Sequence, residues 1–247
     1  MTYCDAHCHI SSETLPLYVK STEETGEDFF IKRAVNCVDP KDWEKIGHTI
    51  IYTPMPSLFN AIARISFGYH PHNITGNEDY KLLEDSLEKY TCTTIAEAGL
   101  DYACDVPKDL QKTAFKKQLD IAVEKKYSVV LHLVKAHEDA LEILSTLSQR
   151  PKLLLHAANC SQEIAKKYLE LGVKMSFGLR ELNSPKGEIL AKTLSLKNIM
   201  LETDGENFDF PALRTVYHKL YSLREEDSHI IATKLKSNFE KFFCDMF

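Results

Sequence analysis

Short apolar and β-branched runs alternate with stretches of helical spacing from one end of the chain to the other. The runs are "TYCDAH", "KRAVNCV", "RISFGYH", "TTIAEAG", "SVVLHL", "KLLLHA", "VKMSFG" and "NIMLETD". Between most of them lie "EDYKLLEDSLEKY", "LQKTAFKKQLDIAVEKK", "EDALEILSTLSQ", "SQEIAKKYLELG", "GEILAKTLSL" and "PALRTVYHKLYSL", and "DSHIIATKLKSNFEKFF" forms a C-terminal helix. Strands that alternate with helices are joined by crossovers and therefore run parallel. Eight of them predict an α/β chain folded as a (β/α)8 TIM barrel, whose reactive groups gather where strands end. With 247 residues, 44% of them hydrophobic, the chain suits one such barrel, a single domain over residues 1–247. The segment "PKDWEKIGHTIIYTPMPSLFNAIA" predicts no clean second helix. An open doubly wound sheet is the competing arrangement, but it calls for a Gly-rich phosphate loop after the first strand, and that strand ends in His-Cys-His.

That first strand reads "YCDAHCHI". In an extended strand alternate side chains share a face, so Asp5, His7 and His9 are expected on one side and Cys4, Ala6 and Cys8 on the other. Two imidazoles and a carboxylate together suit a divalent cation; taken alone, the stretch reads equally well as a half-exposed strand.

The other strand ends break the tie. The third ends in His70, with His72 just beyond it; the fourth carries Glu97, the fifth His132, the sixth His156, and the eighth Glu202 and Asp204. Six of the ten histidines thus fall at or just past strand ends. His48, His137, His218 and His229 fall in helical stretches and read as surface or packing residues. His132 in "VVLHLV" or His156 in "LLLHAA" alone would be a core histidine bonded to backbone, and Asp204 alone a loop cap. Glu97 is different, since a carboxylate inside an apolar strand is costly without a cation or donor. Clustered imidazoles and carboxylates on one rim point to a metal or catalytic centre.

The remaining features limit partners and setting. A net charge of −6 argues against general attraction to polyanions, although bound cations can reverse the local sign. No apolar run approaches the ~20 residues that cross a bilayer, and no basic-then-apolar leader opens the chain. Seven cysteines, none in a CxxC pair, argue for a reducing compartment without disulfide partners. The expected location is the cytoplasm and no membrane partner is expected; the oligomeric state has no signal.

"DAHCH", "FGYHPH", "IAEAGLDY", "VVLHLVKA", "LLLHA", "MLETD" and the terminal "SNFEKFF" occur in the order that resembles the TatD-related metal-dependent hydrolases, a branch of the amidohydrolase-type barrels. The resemblance runs essentially end to end. It implies a distorted TIM barrel holding one or two divalent ions, and metal-dependent deoxyribonuclease activity that removes nucleotides from DNA ends. Carried over by position, it implies that His7, His9 and Asp204 bind one metal, that Glu97 bridges two, and that His132 and His156 complete the second site. The departures lie elsewhere. Where the family follows its strand-five histidine with a Ser-Arg-Asp-type sequence, this chain has "HLVKAHEDA", so Lys135 or a neighbour must replace the arginine. "AANCSQE" replaces a Ser-Phe-Ser-Gly-like stretch and "GENFDF" a proline-containing loop. The ligands are kept while loops that would contact substrate differ.

These residues predict two divalent ions (Zn, Mg or Mn) that activate water for attack on a phosphodiester, with Asp204 as general base beside the bridging Glu97. Asp5 and Glu202 are expected to support ligands from behind or simply to line the barrel. His70, His72 and Lys135 are expected to contact substrate, with an exposed turn or a solvated lysine as the plain alternatives. Asp101 in "GLDY" is expected to brace the loop after Glu97. DNA ends or short oligonucleotides fit the sparse basic residues near the rim, Lys135, Arg180 and Lys186, better than long duplex does. The alternatives are a metal-dependent hydrolase of a small amide or ester, and a non-catalytic metal-binding homologue.

Overall fold

A computed structural model of the protein describes residues 2–17, 30–52, 62–206 and 208–244. Eight strands, β1 (Thr2–His9), β2 (Phe30–Cys37), β3 (Ile62–Phe67), β4 (Thr94–Asp101), β5 (Ser128–Val134), β6 (Leu153–Leu155), β7 (Lys174–Phe177) and β8 (Ile199–Leu201), pair in parallel in chain order. The sheet curls into a nearly closed barrel. Main-chain bonds just past β8 close the seam: Asp204 N–H donates to His7 O at 3.0 Å and His9 N–H to Gly205 O at 3.0 Å.

Around the sheet lie α1 (Pro40–Tyr52), α2 (Tyr80–Lys89), α3 (Lys108–Lys125), α4 (His137–Thr146), α5 (Gln162–Glu170), α6 (Leu179–Leu182), α7 (Pro185–Thr193), α8 (Phe210–Leu223) and α9 (Ser228–Phe243). Helix α1 occupies the start of the segment for which the sequence predicts no clean helix; residues 53–61 lie outside the described residues. Its inner face is Trp43, Ile46 and Gly47. Gly47 breaks the apolar stripe that would signal the helix, and the ring of Tyr90 fills the gap, since a Cβ there would come 2.5 Å from it. Trp43 donates Nε1–H to Cys37 O at 2.8 Å, tying the helix to the end of β2.

Two apolar layers follow from strand alternation. Cys4, Ala6, Ala34, Ala96, Val130, Leu154 and Met200 fill the barrel interior together with Phe239, Phe242 and Phe243 of α9. Cys8, Val35, Phe67, Ala98, Leu131, Leu155, Phe177 and Leu201 face the helices. Helix α9 stoppers the end where strands begin: Ser128 Oγ donates to Phe242 O, Arg64 Nε to Phe243 O and Lys152 Nζ to Lys241 O. Alanines on β1, β2 and β4 leave room for its rings, and burying each ring is worth roughly 1.5–3 kcal/mol. With that end sealed, the opposite end is the one open to a substrate. The seven cysteines are free thiols, and five of them are buried.

Regular alternation fails in β1 and in β4. Cys4 and Ala6 lie in the inner layer but Cys8 lies in the outer one, and β1 slips register against β2 between Asp5 and Cys8. Ala96 is inner and Ala98 outer, with a slip between Ile95 and Ala98. Each bulge turns two consecutive residues inward: Ala6 with His7, and Ala96 with Glu97. The expectation that Asp5 shares a face with His7 and His9 is therefore corrected, because the extra residue puts Asp5 on the opposite side.

Candidate metal centre

Glu97 sits at the middle of the open end, 1% exposed, with each carboxylate oxygen facing a different set of imidazoles. Oε1 lies 3.3 Å from His7 Nε2 and 3.4 Å from His9 Nε2. Oε2 lies 2.8 Å from His156 Nε2 and 3.1 Å from His132 Nδ1. Asp204, whose φ of 52° swings its carboxylate back over β1, puts Oδ1 3.2 Å from His9 Nε2 and 3.7 Å from His7 Nε2. The structure thus brings His7, His9, Glu97, His132, His156 and Asp204 together, from strands as far apart in sequence as the two chain ends.

The electrostatics suit a bound cation. His7 Nε2 and Glu97 Oε1 are buried with no hydrogen-bond partner, although they lie 3.3 Å apart. Burial works against the Glu97 carboxylate, but the surrounding imidazoles of His7, His156 and His9 outweigh it and hold Glu97 well below the ordinary carboxylate range. Asp204 is likewise held down at about 2, its own burial overcome by the hydrogen bond to His9 and the nearby imidazoles. Burial lowers His7, whereas His156, between Glu97 and Glu202, is raised despite its burial. Burial pushes His70 down to about 3.

Three ligand atoms of His7, His9 and Asp204 lie within 4.8 Å of one another, as do three of His7, Glu97 and His156. Imidazole nitrogens mixed with carboxylate oxygens fit Zn and Mn, and Mg where waters complete the shell. His70, Glu97 and His132 also converge within 4.8 Å, and so do His72, Asp101 and His132.

Polar side chains stand behind the centre. Glu202 accepts from Ala157 N–H at 2.7 Å and from Ser176 Oγ, and its Oε1 lies 3.7 Å from His156 Nδ1. Asp5 accepts from Thr203 N–H at 2.9 Å and Thr203 Oγ1 at 2.7 Å, so it braces the turn that carries Asp204 rather than touching an imidazole ring. One support escapes the sequence reading and another exceeds it. Asn36 places its side-chain amide 2.7 Å from His7 Nδ1. Asp101 does more than brace a loop: its Oδ2 lies 3.1 Å from His132 Nε2 and 2.7 Å from His72 Nε2. In each case the available signal was a polar residue inside an otherwise apolar strand run.

Above the centre opens a cleft of about 550 Å³, lined among others by His70, His72, Lys135, His137, Asn159 and Arg180. Lys135 is exposed there, and Arg180 is anchored through Nε to Glu181 Oε1 at 2.7 Å. His72 is half-exposed but held by Asp101. His137, expected on a helix surface or in packing, stands on the cleft wall with Nδ1 3.1 Å from Tyr168 Oη. Lys186 is not part of the lining.

Comparison with known proteins agrees with this arrangement. YabD of Bacillus subtilis, an uncharacterized metal-dependent hydrolase, is 22% identical over 97% of this chain and 98% of its own length. The 3'-5' ssDNA/RNA exonuclease TatD of a Pantoea species is 30% identical over 56% of each chain. The crystal structure of YjjV, a TatD homologue from Escherichia coli, superimposes with a TM-score of 0.82 at 21% identity, covering 99% of this chain and 98% of that one, a likeness of fold. Residues 4–244 match the model of the TatD-related DNases, and the chain belongs to that family of metal-dependent hydrolases.

Proposed function

We propose that the protein hydrolyses phosphodiester bonds at DNA ends or in short oligonucleotides with two divalent cations. The observation that carries this is the Glu97 carboxylate, which directs one oxygen to His7 and His9 and the other to His132 and His156. When bound, the cations, held by His7, His9, Glu97 and Asp204 on one side and Glu97, His132 and His156 on the other, supply an acidified water and charge stabilisation for attacking and leaving oxygens.

The chain's own residues do the rest. Asp204, part-exposed at the cleft and ionised at any working pH, takes the proton of the attacking water. Glu97 remains ionised throughout and keeps the two imidazole sets at a fixed spacing. Glu202 stands behind the His156 ring at 3.7 Å and Asp5 braces the Asp204 turn, so the site is largely preset for the reaction. Lys135 and Arg180 on the rim offer positive charge to a phosphate chain entering the cleft. The exonuclease name of the Pantoea relative supports a nucleic-acid substrate. Only a few rim cations are present, which favours a strand end over gripped duplex.

The test is a panel of single-stranded oligonucleotide, nitrophenyl phosphodiester and nitrophenyl ester, each with chelator or with added Mg, Mn or Zn. Chelator-sensitive shortening of the oligonucleotide is the expected result. Turnover of the ester alone, or metal binding with no turnover of any of the three, refutes the reading.

A further inference from the structure

Of the two permanent cations that line the cleft among the described residues, Lys135 and Arg180, Arg180 is the one with an anchor. Its Nε donates to Glu181 Oε1 at 2.7 Å, and its side chain stays 76% exposed while that of Glu181 is 2% exposed. A buried carboxylate needs a countercharge, and among the described residues Glu181 forms an ion pair with Arg180 alone. The anchor itself is held by backbone. Its Oε2 accepts from Gly178 N–H at 3.3 Å, and its carbonyl accepts from Ser184 N–H and Ser184 Oγ, both at 2.9 Å. Gly187 packs so close to that carbonyl that a Cβ would come within 2.2 Å of it. Gly178, at the start of α6, lies against the end of β8, where a Cβ would be 3.6 Å from Glu202 O.

A guanidinium carries five N–H groups in one rigid plane, and Glu181 uses the one on Nε. The two terminal NH2 groups, whose spacing matches a pair of phosphate oxygens, have no partner among the described residues. After Glu181, Asp204 and Glu202 also help to hold the guanidinium charged, so it stands within electrostatic reach of the carboxylate proposed as base. The candidate metal ligands lie deeper, with Glu97 only 1% exposed. Oxygens bound at the cations and an anion bound at Arg180 therefore occupy two levels of one cleft. A strand of linked phosphates can supply both at once.

We infer that Arg180, aimed by Glu181, clamps the phosphate next to the one being cleaved, so that the cleft prefers a chain of phosphodiesters to an isolated one. The inference rests on the phosphodiesterase reading above and narrows its substrate to polyanionic strands. An exposed fork meets the strand in the ground state and the transition state alike, so the clamp acts on binding rather than on the bond that breaks. Glu181 is a positioning residue: it touches no substrate and works through the guanidinium it holds.

The test measures binding of a single-stranded oligonucleotide to metal-loaded wild type, Arg180→Ala, Arg180→Lys and Glu181→Gln over a range of salt. Phosphorothioate terminal linkages protect the strand from trimming. Arg180→Ala should weaken binding roughly ten-fold and shrink the slope of log K against log salt by about 0.7, one phosphate contact on a single strand. Arg180→Lys should restore the slope but only part of the affinity, since a point charge lacks the fork. Deleting the Glu181 charge would tighten a polyanion if that carboxylate did nothing for Arg180. Glu181→Gln should instead weaken binding roughly 2–10-fold, the cost of ordering a freed side chain. A neutral methylphosphonate at the penultimate linkage should cost wild type roughly ten-fold at one of the two strand ends, and Arg180→Ala less than about two-fold. An unchanged salt slope in Arg180→Ala, tighter binding in Glu181→Gln, or equal methylphosphonate penalties in wild type and Arg180→Ala would each overturn the inference. If wild type leaves an unprotected strand intact while slope and penalty still follow Arg180, the hydrolysis reading fails and the clamp stands. If wild type does not bind the strand, the clamp falls.

Discussion

Removing divalent metal should measurably loosen this protein, and the structure sets the scale. His7 Nε2 and Glu97 Oε1 are buried at the centre of the barrel mouth with no hydrogen-bond partner. Each such group costs about 1–3 kcal/mol, so the two together leave roughly 2–6 kcal/mol to be recovered when a cation satisfies both. At metal 100-fold above its dissociation constant, mass action stabilises the native state by about 2.7 kcal/mol. For a chain of 247 residues, with about 2–4 °C per kcal/mol, Tm should rise by about 5–11 °C. The assay is thermal unfolding of chelator-stripped protein titrated with Zn, Mn or Mg, with bound metal counted on the same samples. Glu97→Ala should abolish most of the rise, because it removes an oxygen from both imidazole sets. An unchanged Tm for all three metals, or an undiminished rise in Glu97→Ala, would refute the reasoning.

Other perturbations separate the parts of the molecule. His132→Ala should strip one equivalent of metal and most phosphodiesterase activity while leaving the far-ultraviolet circular dichroism intact; unchanged metal content on elemental analysis would remove His132 from the ligands. Phe239→Ala opens a cavity at the sealed end of the barrel, where this ring is fully buried, and should cost about 3–5 kcal/mol in urea unfolding; a cost below about 1 kcal/mol would mean that α9 does not close the interior. Asp42 gives a pH effect away from the metal. Its burial would raise its pKa, but hydrogen bonds from Ser12 N–H at 2.9 Å and Ser12 Oγ more than offset this and hold it below its ordinary value. A carboxylate lowered on folding adds stability above its unfolded pKa of about 3.9 and loses it as pH falls through the lower folded value. Ser12→Ala should therefore lower Tm at neutral pH and flatten its decline as pH falls below about 4, and parallel Tm curves for the two proteins would contradict the assignment.

Much of this was legible in the chain itself. Strand and helix periods recur in a strict order, and a local period is all that is needed to place β1, β4, β5 and the eightfold alternation. The candidate ligands were legible because a histidine or carboxylate that ends an apolar run is chemically out of place wherever the run lies. Helix α1 was less legible: Gly47, packed under the Tyr90 ring, replaces the apolar residue that would have completed its stripe.

The sequence by itself determined an alternating α/β chain with imidazoles and carboxylates at strand ends, because both features repeat at spacings set by local backbone geometry. Only the tertiary structure decided which way those groups face. The bulges in β1 and β4 depend on how neighbouring strands pair, and they send His7 and Glu97 inward while turning Asp5 away. The partners behind the rings, Asp101 for His132, Asn36 for His7 and the His72 amide for His70, are set by closure of the barrel and by a three-residue turn. Hydrogen-bond direction between groups brought together by folding has no periodic signature, so it appears only once the chain has closed.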